Sequence, residues 1–153
     1  MVLPRCRPSS VESSTSPDAS PTDGWGSSAM LYALAEGLAG VVDKHKLFQK
    51  VQLSPRWIAA GRNEATVRLS YGASGAWFGY SLRNDEAAGI IELVLGGNAL
   101  VHLHLLLPQG TRAKSITVGG KKVDFTNTSV EDSAYVDSDL VVKRDTVVRV
   151  HYR

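Results

Sequence analysis

Leu100-Val101-His102-Leu103-His104-Leu105-Leu106-Leu107 is the stretch whose reading decides the fold. Val101, Leu103, Leu105 and Leu107 fall on one side of an extended backbone, while His102 and His104 fall on the other. A period of two is the signature of a strand with one face in a core. The pattern repeats upstream, where Ala65, Val67, Leu69 and Tyr71 alternate with Thr66, Arg68 and Ser70. Phe78, Tyr80 and Leu82 continue it, as do Ile91, Leu93 and Leu95 after an Asn84-Asp85 turn. Gly96-Gly97-Asn98 reverses the chain into Leu100–Leu107, and Pro108-Gln109-Gly110 ends that strand. Ile116-Thr117-Val118, Gly119-Gly120, Val123 and Phe125 read as a tight hairpin. Two more strands are expected near Ala134–Val142 and Thr146–Tyr152. The sum is a mainly β fold, an antiparallel β-sandwich of about eight or nine short strands with no helical crossover between them.

Ahead of the sandwich the period changes. Leu31, Leu34, Ala35 and Leu38 make one helical stripe, widened by Met30, Ala33 and Val41, with Glu36 the single charge. One apolar α-helix is therefore expected over Ser28 to Val41. Ser27 or Ser28 would cap it and Gly40 would stop it. Asp43-Lys44-His45-Lys46 reads as a polar connector. A helix apolar all round is normally covered on several sides, and one sandwich cannot cover it alone. Residues 1–23, rich in Ser, Pro, Thr and Asp, have almost nothing to bury and are expected to be a disordered tail. The expected division is a tail over 1–23, the helix over 24–42 and the β-sandwich over 43–153.

Composition excludes several classes of function. The 153 residues are 43% hydrophobic and 21% charged, with a formal net charge of +2. That charge is too small for a nucleic-acid binder, and the basic residues form no cluster beyond Lys121-Lys122. The one cysteine, Cys6, excludes an internal disulfide. No run approaches the ~18 apolar residues of a membrane span, and no apolar segment follows Arg5 and Arg7 as a secretory signal requires. A cytoplasmic location is the expectation.

The stretch Trp25-Gly26-Ser27-Ser28-Ala29-Met30-Leu31-Tyr32-Ala33-Leu34-Ala35-Glu36-Gly37-Leu38-Ala39-Gly40-Val41 resembles the closing helix of a six-hairpin, (α/α)6-barrel glycosidase. Phe48-Gln49-Lys50-Val51-Gln52-Leu53-Ser54-Pro55-Arg56-Trp57 is similar to the strand that leads from that barrel into a C-terminal β-domain. Leu107-Pro108-Gln109-Gly110 and Ile116–Val123 look like a late hairpin of the same domain. The resemblance covers about Gly24 to Arg153. It implies a last barrel helix plus the β-sandwich of a larger glycoside hydrolase or phosphorylase, whose catalytic carboxylates belong to a barrel outside this sequence. The implied partner is that helical barrel.

No catalytic residue is expected within the chain. Glycoside hydrolysis needs two carboxyl groups about 5–5.5 Å apart for retention or about 6.5–9.5 Å for inversion. The carboxylates here fall in turns and on polar faces, and Glu36 reads as a helix-surface charge or a structural ion pair. For substrate contact the candidates are Trp25 and Ser27, at the helix entry that resembles a barrel rim, and Trp77, an aromatic that suits a pyranose face. Trp57 and Tyr80 read as core.

His102 and His104, at i and i+2, fall on one strand face with His151 on a later strand. A zinc site needs three or four supported ligands, so no metal and no cofactor are expected. Asn127-Thr128-Ser129 fits a glycosylation sequon, a triplet common by chance, and Asp137-Ser138-Asp139 lacks the spacing of a calcium loop. The leading expectation is a non-catalytic accessory domain of a carbohydrate-active enzyme, a fragment of the larger protein. The alternatives are a free-standing carbohydrate-binding module, with aromatics aligned on an exposed sheet face, and a protein-interaction sandwich, with a large apolar patch away from the helix.

Overall fold

Strand β6, Ala99–Leu106, buries Ala99, Val101, Leu103 and Leu105 and turns Leu100 and His102 outward. The alternation read from the sequence thus sets the strand's two faces. The computed structural model describes residues 24–153, with side chains from 26 onward, so the tail expected over 1–23 lies outside the described residues. Eleven strands are described, in two sheets. The first sheet comprises β1 (Val41–His45), β2 (Lys50–Leu53), β6, β9 (Thr126–Val130) and β10 (Ser133–Val142), in the order β1-β2-β6-β10-β9. The second comprises β3 (Glu64–Ser70), β4 (Trp77–Asp85), β5 (Ile90–Gly96), β7 (Ala113–Val118), β8 (Lys121–Val123) and β11 (Thr146–Tyr152). Its order is β3-β4-β5-β11-β7-β8.

The inner faces interdigitate in one core. Leu53, Val101, Leu103, Leu105, Val136 and Val142 of the first sheet meet Phe78, Leu82, Ile91, Leu93, Leu95 and Val150 of the second. This is the expected sandwich, with three differences. Asn84 and Asp85, read as a turn, are the last residues of β4, and the turn follows them over 86–89. Strand β1 occupies residues read as the end of the helix and a connector, and β9 is a further short edge strand. Neither carries an apolar alternation, because an edge strand of mostly exposed residues has little core to face. Pairing is antiparallel except between β2 and β6, which run parallel with Leu53 opposite Leu103.

The helix differs in its bounds. Its α-helical part, α1, is Gly24–Tyr32, so Ser27 and Ser28 lie within it and do not cap it. A wider π-type turn follows over Ala33–Leu38, closed by the Ala39 N–H donating to the Leu34 carbonyl at 2.8 Å. Val41 and Val42 belong to β1, not to the helix. The last carbonyls, which a helix leaves without partners, are taken by the sandwich. Arg56 N–H donates to Leu38 O at 3.1 Å, Tyr80 Oη–H to Ala39 O at 2.7 Å and Ser54 N–H to Gly40 O at 2.7 Å.

Tyr80 is the hub of this junction, since its hydroxyl also accepts a bond from Trp57 Nε1 at 2.7 Å. Burial pushes the phenol far above its ordinary range, the bond from Trp57 pulling weakly the other way. The unfolded chain releases this proton near the ordinary phenol pKa of about 10, whereas the folded chain retains it. The associated stability is therefore full below pH ~10 and is lost as the pH rises above it. Urea midpoints should fall above that pH, and Tyr80→Phe should flatten the fall. A residual slope should persist from Tyr71 and Tyr152, whose phenols are also raised, Tyr71 chiefly by its bond to Asp43 and Tyr152 by burial.

Candidate functional site

Two consecutive non-glycine residues, Leu47 (φ 62°) and Phe48 (φ 57°), adopt the left-handed conformation in the turn between β1 and β2. Such strain persists only where the surroundings hold it. Here the Asp43 carboxylate does so, accepting His45 N–H at 3.1 Å, Phe48 N–H at 3.1 Å and the Tyr71 hydroxyl at 2.9 Å. Phe48 is buried and stacks on Tyr71 with ring centroids 4.8 Å apart. Asp43→Ala should remove three acceptor contacts at once. The expected cost is about 1–2 kcal/mol, read as a lower urea midpoint, with faster exchange of the Phe48 amide.

The turn forms one rim of an open depression of about 610 Å³ at the end of the sandwich. Leu47 and Gln49 meet Trp77 at the start of β4, Asn98 between β5 and β6, and Lys143 and Arg144 between β10 and β11. Four separate connections thus converge. Trp77 is half-buried, and the Arg68 guanidinium lies 4.5 Å from its ring centroid. The far edge of the indole lies against Gly96, where an added Cβ would sit 2.8 Å from Cη2. One face of the indole is therefore taken by Arg68, and Trp77 serves the depression as a wall.

The other expected substrate residues lie elsewhere. Ser27 is exposed on α1, and the Trp25 side chain lies outside the described residues. Ser27 is not among the residues that line the depression beside Trp77. Glu36 sits in the π-type turn, where hydrogen bonding to its carboxylate raises the Tyr32 phenol above its usual range.

His102 and His104 do share the outer face of the first sheet, as their spacing requires. Each is engaged by a carboxylate across the β6–β10 ladder. His102 Nδ1 lies 2.8 Å from Asp139 Oδ1 and His104 Nδ1 lies 2.5 Å from Asp137 Oδ1. Asp137 also accepts the Thr128 hydroxyl at 2.5 Å, and His104 stacks on Tyr135 at 4.2 Å. Partial burial works to raise the Asp137 carboxyl, but the bonds from Thr128 and His104 outweigh it and hold the group below its ordinary value. His151 belongs to the second sheet and does not join this cluster. Among the described residues, no group of three or more His, Cys, Asp or Glu is arranged to hold a metal ion.

The remaining polar motifs are structural. The Asn127 amide exchanges two bonds with the Ala113 backbone, at 2.9 and 3.1 Å, tying β9 of one sheet to β7 of the other. A glycan there would break that tie. Glu92 accepts from Arg149 at 2.6 Å, and Glu64 pairs loosely with Arg83 at 3.8 Å. No helix among the described residues is long and apolar enough to cross a membrane.

No family model matches the chain, and no curated protein matches it in sequence. Solved structures do. An α-L-rhamnosidase from Dictyoglumus thermophilum is similar with a TM-score of 0.51 and 14% identity, over 74% of this chain and 12% of that one. A GH127 β-L-arabinofuranosidase from Geobacillus stearothermophilus T6 is similar with a TM-score of 0.46 and 14% identity, over 84% of this chain and 18% of that one. The chain thus spans between about an eighth and a fifth of the length of these enzymes. The likeness to the rhamnosidase is one of fold, and it falls on a domain-sized part of that larger protein.

Proposed function

We propose that this chain is the non-catalytic C-terminal β-sandwich of a carbohydrate-active, six-hairpin glycosidase-like enzyme, bracing a helical barrel through α1. The observation that carries the reading is the helix itself. Met30, Leu31, Tyr32 and Leu34 are 54%, 68%, 65% and 49% exposed, so the sandwich leaves the apolar side chains of its own helix uncovered. The helix end is nevertheless fixed by three hydrogen bonds to the sandwich. An element held rigidly at its base and apolar along its length suits packing against further helices. The fold shared with part of an α-L-rhamnosidase supports the same reading.

The chain alone should give no turnover on aryl glycosides, and it should self-associate through α1. Leu31→Glu with Leu34→Glu should yield a monomer of unchanged stability, since neither side chain is buried. Sedimentation and a glycosidase assay check both points; turnover, or a monomeric wild-type chain, overturns the reading. The rivals fare less well. A platform-type carbohydrate module needs aligned aromatics, whereas Trp77 is covered by Arg68, Tyr71 stacks on Phe48 and Tyr135 stacks on His104. A protein-interaction sandwich needs an interface of roughly 800 Å² per partner. Leu100 and Val141, a cross-strand pair 51% and 62% exposed, fall far short of that.

A further inference from the structure

The geometry points to the end depression as a binding site for a saccharide that carries an anionic group, a carboxylate or a sulfate. The inference rests on the carbohydrate-active reading above and adds a site and a ligand class to it. Lys143 and Arg144 supply two cations, and no carboxylate lines the hollow. The side chains of Gln49, Asn98, Lys143 and Arg144 have no hydrogen-bond or ion-pair partner among the described residues. Two cations with no carboxylate in the lining favour an anion, and guanidinium is suited to a two-oxygen acceptor. Two free amides, each both donor and acceptor, match the hydroxyls of a sugar ring.

Size separates a saccharide from a bare ion. About 610 Å³ falls in the range of small-molecule sites, far beyond one phosphate or sulfate. The rim is also built in advance, because Asp43 holds the left-handed Leu47–Phe48 turn in place.

The test is calorimetric titration of the full chain with four probes: a galacturonic acid tetramer, a sulfated chondroitin tetrasaccharide, neutral maltotetraose and inorganic phosphate. At least one acidic tetrasaccharide should bind about tenfold or more tighter than the neutral one, the corresponding charge-assisted bonds being worth that much. The preferred acidic probe identifies carboxylate or sulfate as the source of the charge. Lys143→Ser with Arg144→Ser should remove the preference. Both residues are exposed in the β10–β11 connection, so the melting temperature should hold. Asn98→Ala, also exposed, should weaken the acidic saccharide without abolishing the charge preference. Equal binding of the neutral probe, no binding of either acidic probe, undiminished binding by the double variant, or phosphate competing mole for mole with the saccharide would each overturn the site. A chain that binds no acidic saccharide yet still self-associates through α1 and shows no turnover loses this site and keeps the accessory reading.

Discussion

Gly40→Ala is expected to destabilise the chain by about 3 kcal/mol or more, among the largest effects of any single methyl group added here. Gly40 has a φ of 67°, a region that costs an L side chain. The greater problem is space. A Cβ at this position would sit 1.9 Å from the Ser54 carbonyl oxygen and 2.8 Å from Pro55 N. Those are backbone atoms of the chain leaving β2, and they have no rotamer to escape into. Moving them breaks the Ser54 N–H bond to Gly40 O and shifts the Val41–Leu53 pairing that starts the first sheet. Urea unfolding reads the loss, and amide exchange should show Ser54 and Arg56 opening first. Ser54→Ala is the control. Its hydroxyl is buried with no partner, so removing it should be neutral or slightly stabilising. Equal losses from the two variants would place the effect in general crowding and not in the close approach of backbone to backbone.

Gly40 also marks how far the sequence could be read. A glycine after an apolar run signals a helix end, and the helical segment does finish at Leu38, two residues before it. What the chain does next was hidden. Asp43-Lys44-His45 shows no apolar alternation, yet it forms most of β1, because an edge strand is held by its ladder to β2 and needs few buried side chains. β9 was hidden for the same reason, its Thr-Asn-Thr-Ser-Val run being mostly exposed. The strongly alternating strands β5, β6 and β11 were legible from their period of two, since Ile91, Leu93, Leu95, Val101, Leu103, Leu105, Val148 and Val150 all reach the core.

The candidate site was much less legible. Its residues come from positions 47–49, 77, 98 and 143–144, and only the stacking of two sheets gathers them. Trp77 stood out as an aromatic, but Arg68 across its ring is a cross-strand effect that depends on the β3–β4 register, with Arg68 opposite Gly79. The left-handed turn gave no signal, because neither Leu nor Phe is a residue that favours that conformation. The one clue in the sequence was Asp43, a residue type able to satisfy neighbouring backbone N–H groups.

Phe78→Ala should cost about 3–5 kcal/mol, a large share of the ~5–15 kcal/mol that holds a domain folded. Phe78 is fully buried on β4, and its ring centroid lies 6.4 Å from that of Phe48. A Cβ added to Gly97 would meet its Cδ2 at 3.3 Å, so the same ring also supports the β5–β6 turn. Removing it leaves a void beneath two rims of the end depression. Leu93→Ala, at an equally buried position in the middle of β5, should cost about 2–5 kcal/mol by the same cavity argument. The two variants then differ in where the loss falls. Only Phe78→Ala should free Phe48 from its left-handed turn, speed exchange of the Leu100 amide that bonds to Gln49 O, and weaken the near-ultraviolet signal of Trp77. Phe78→Leu, which refills much of the volume, should restore most of both. If Leu100 exchanges equally in Phe78→Ala and Leu93→Ala, the depression is not supported through Phe78, and its shape follows from Asp43 and the turn alone.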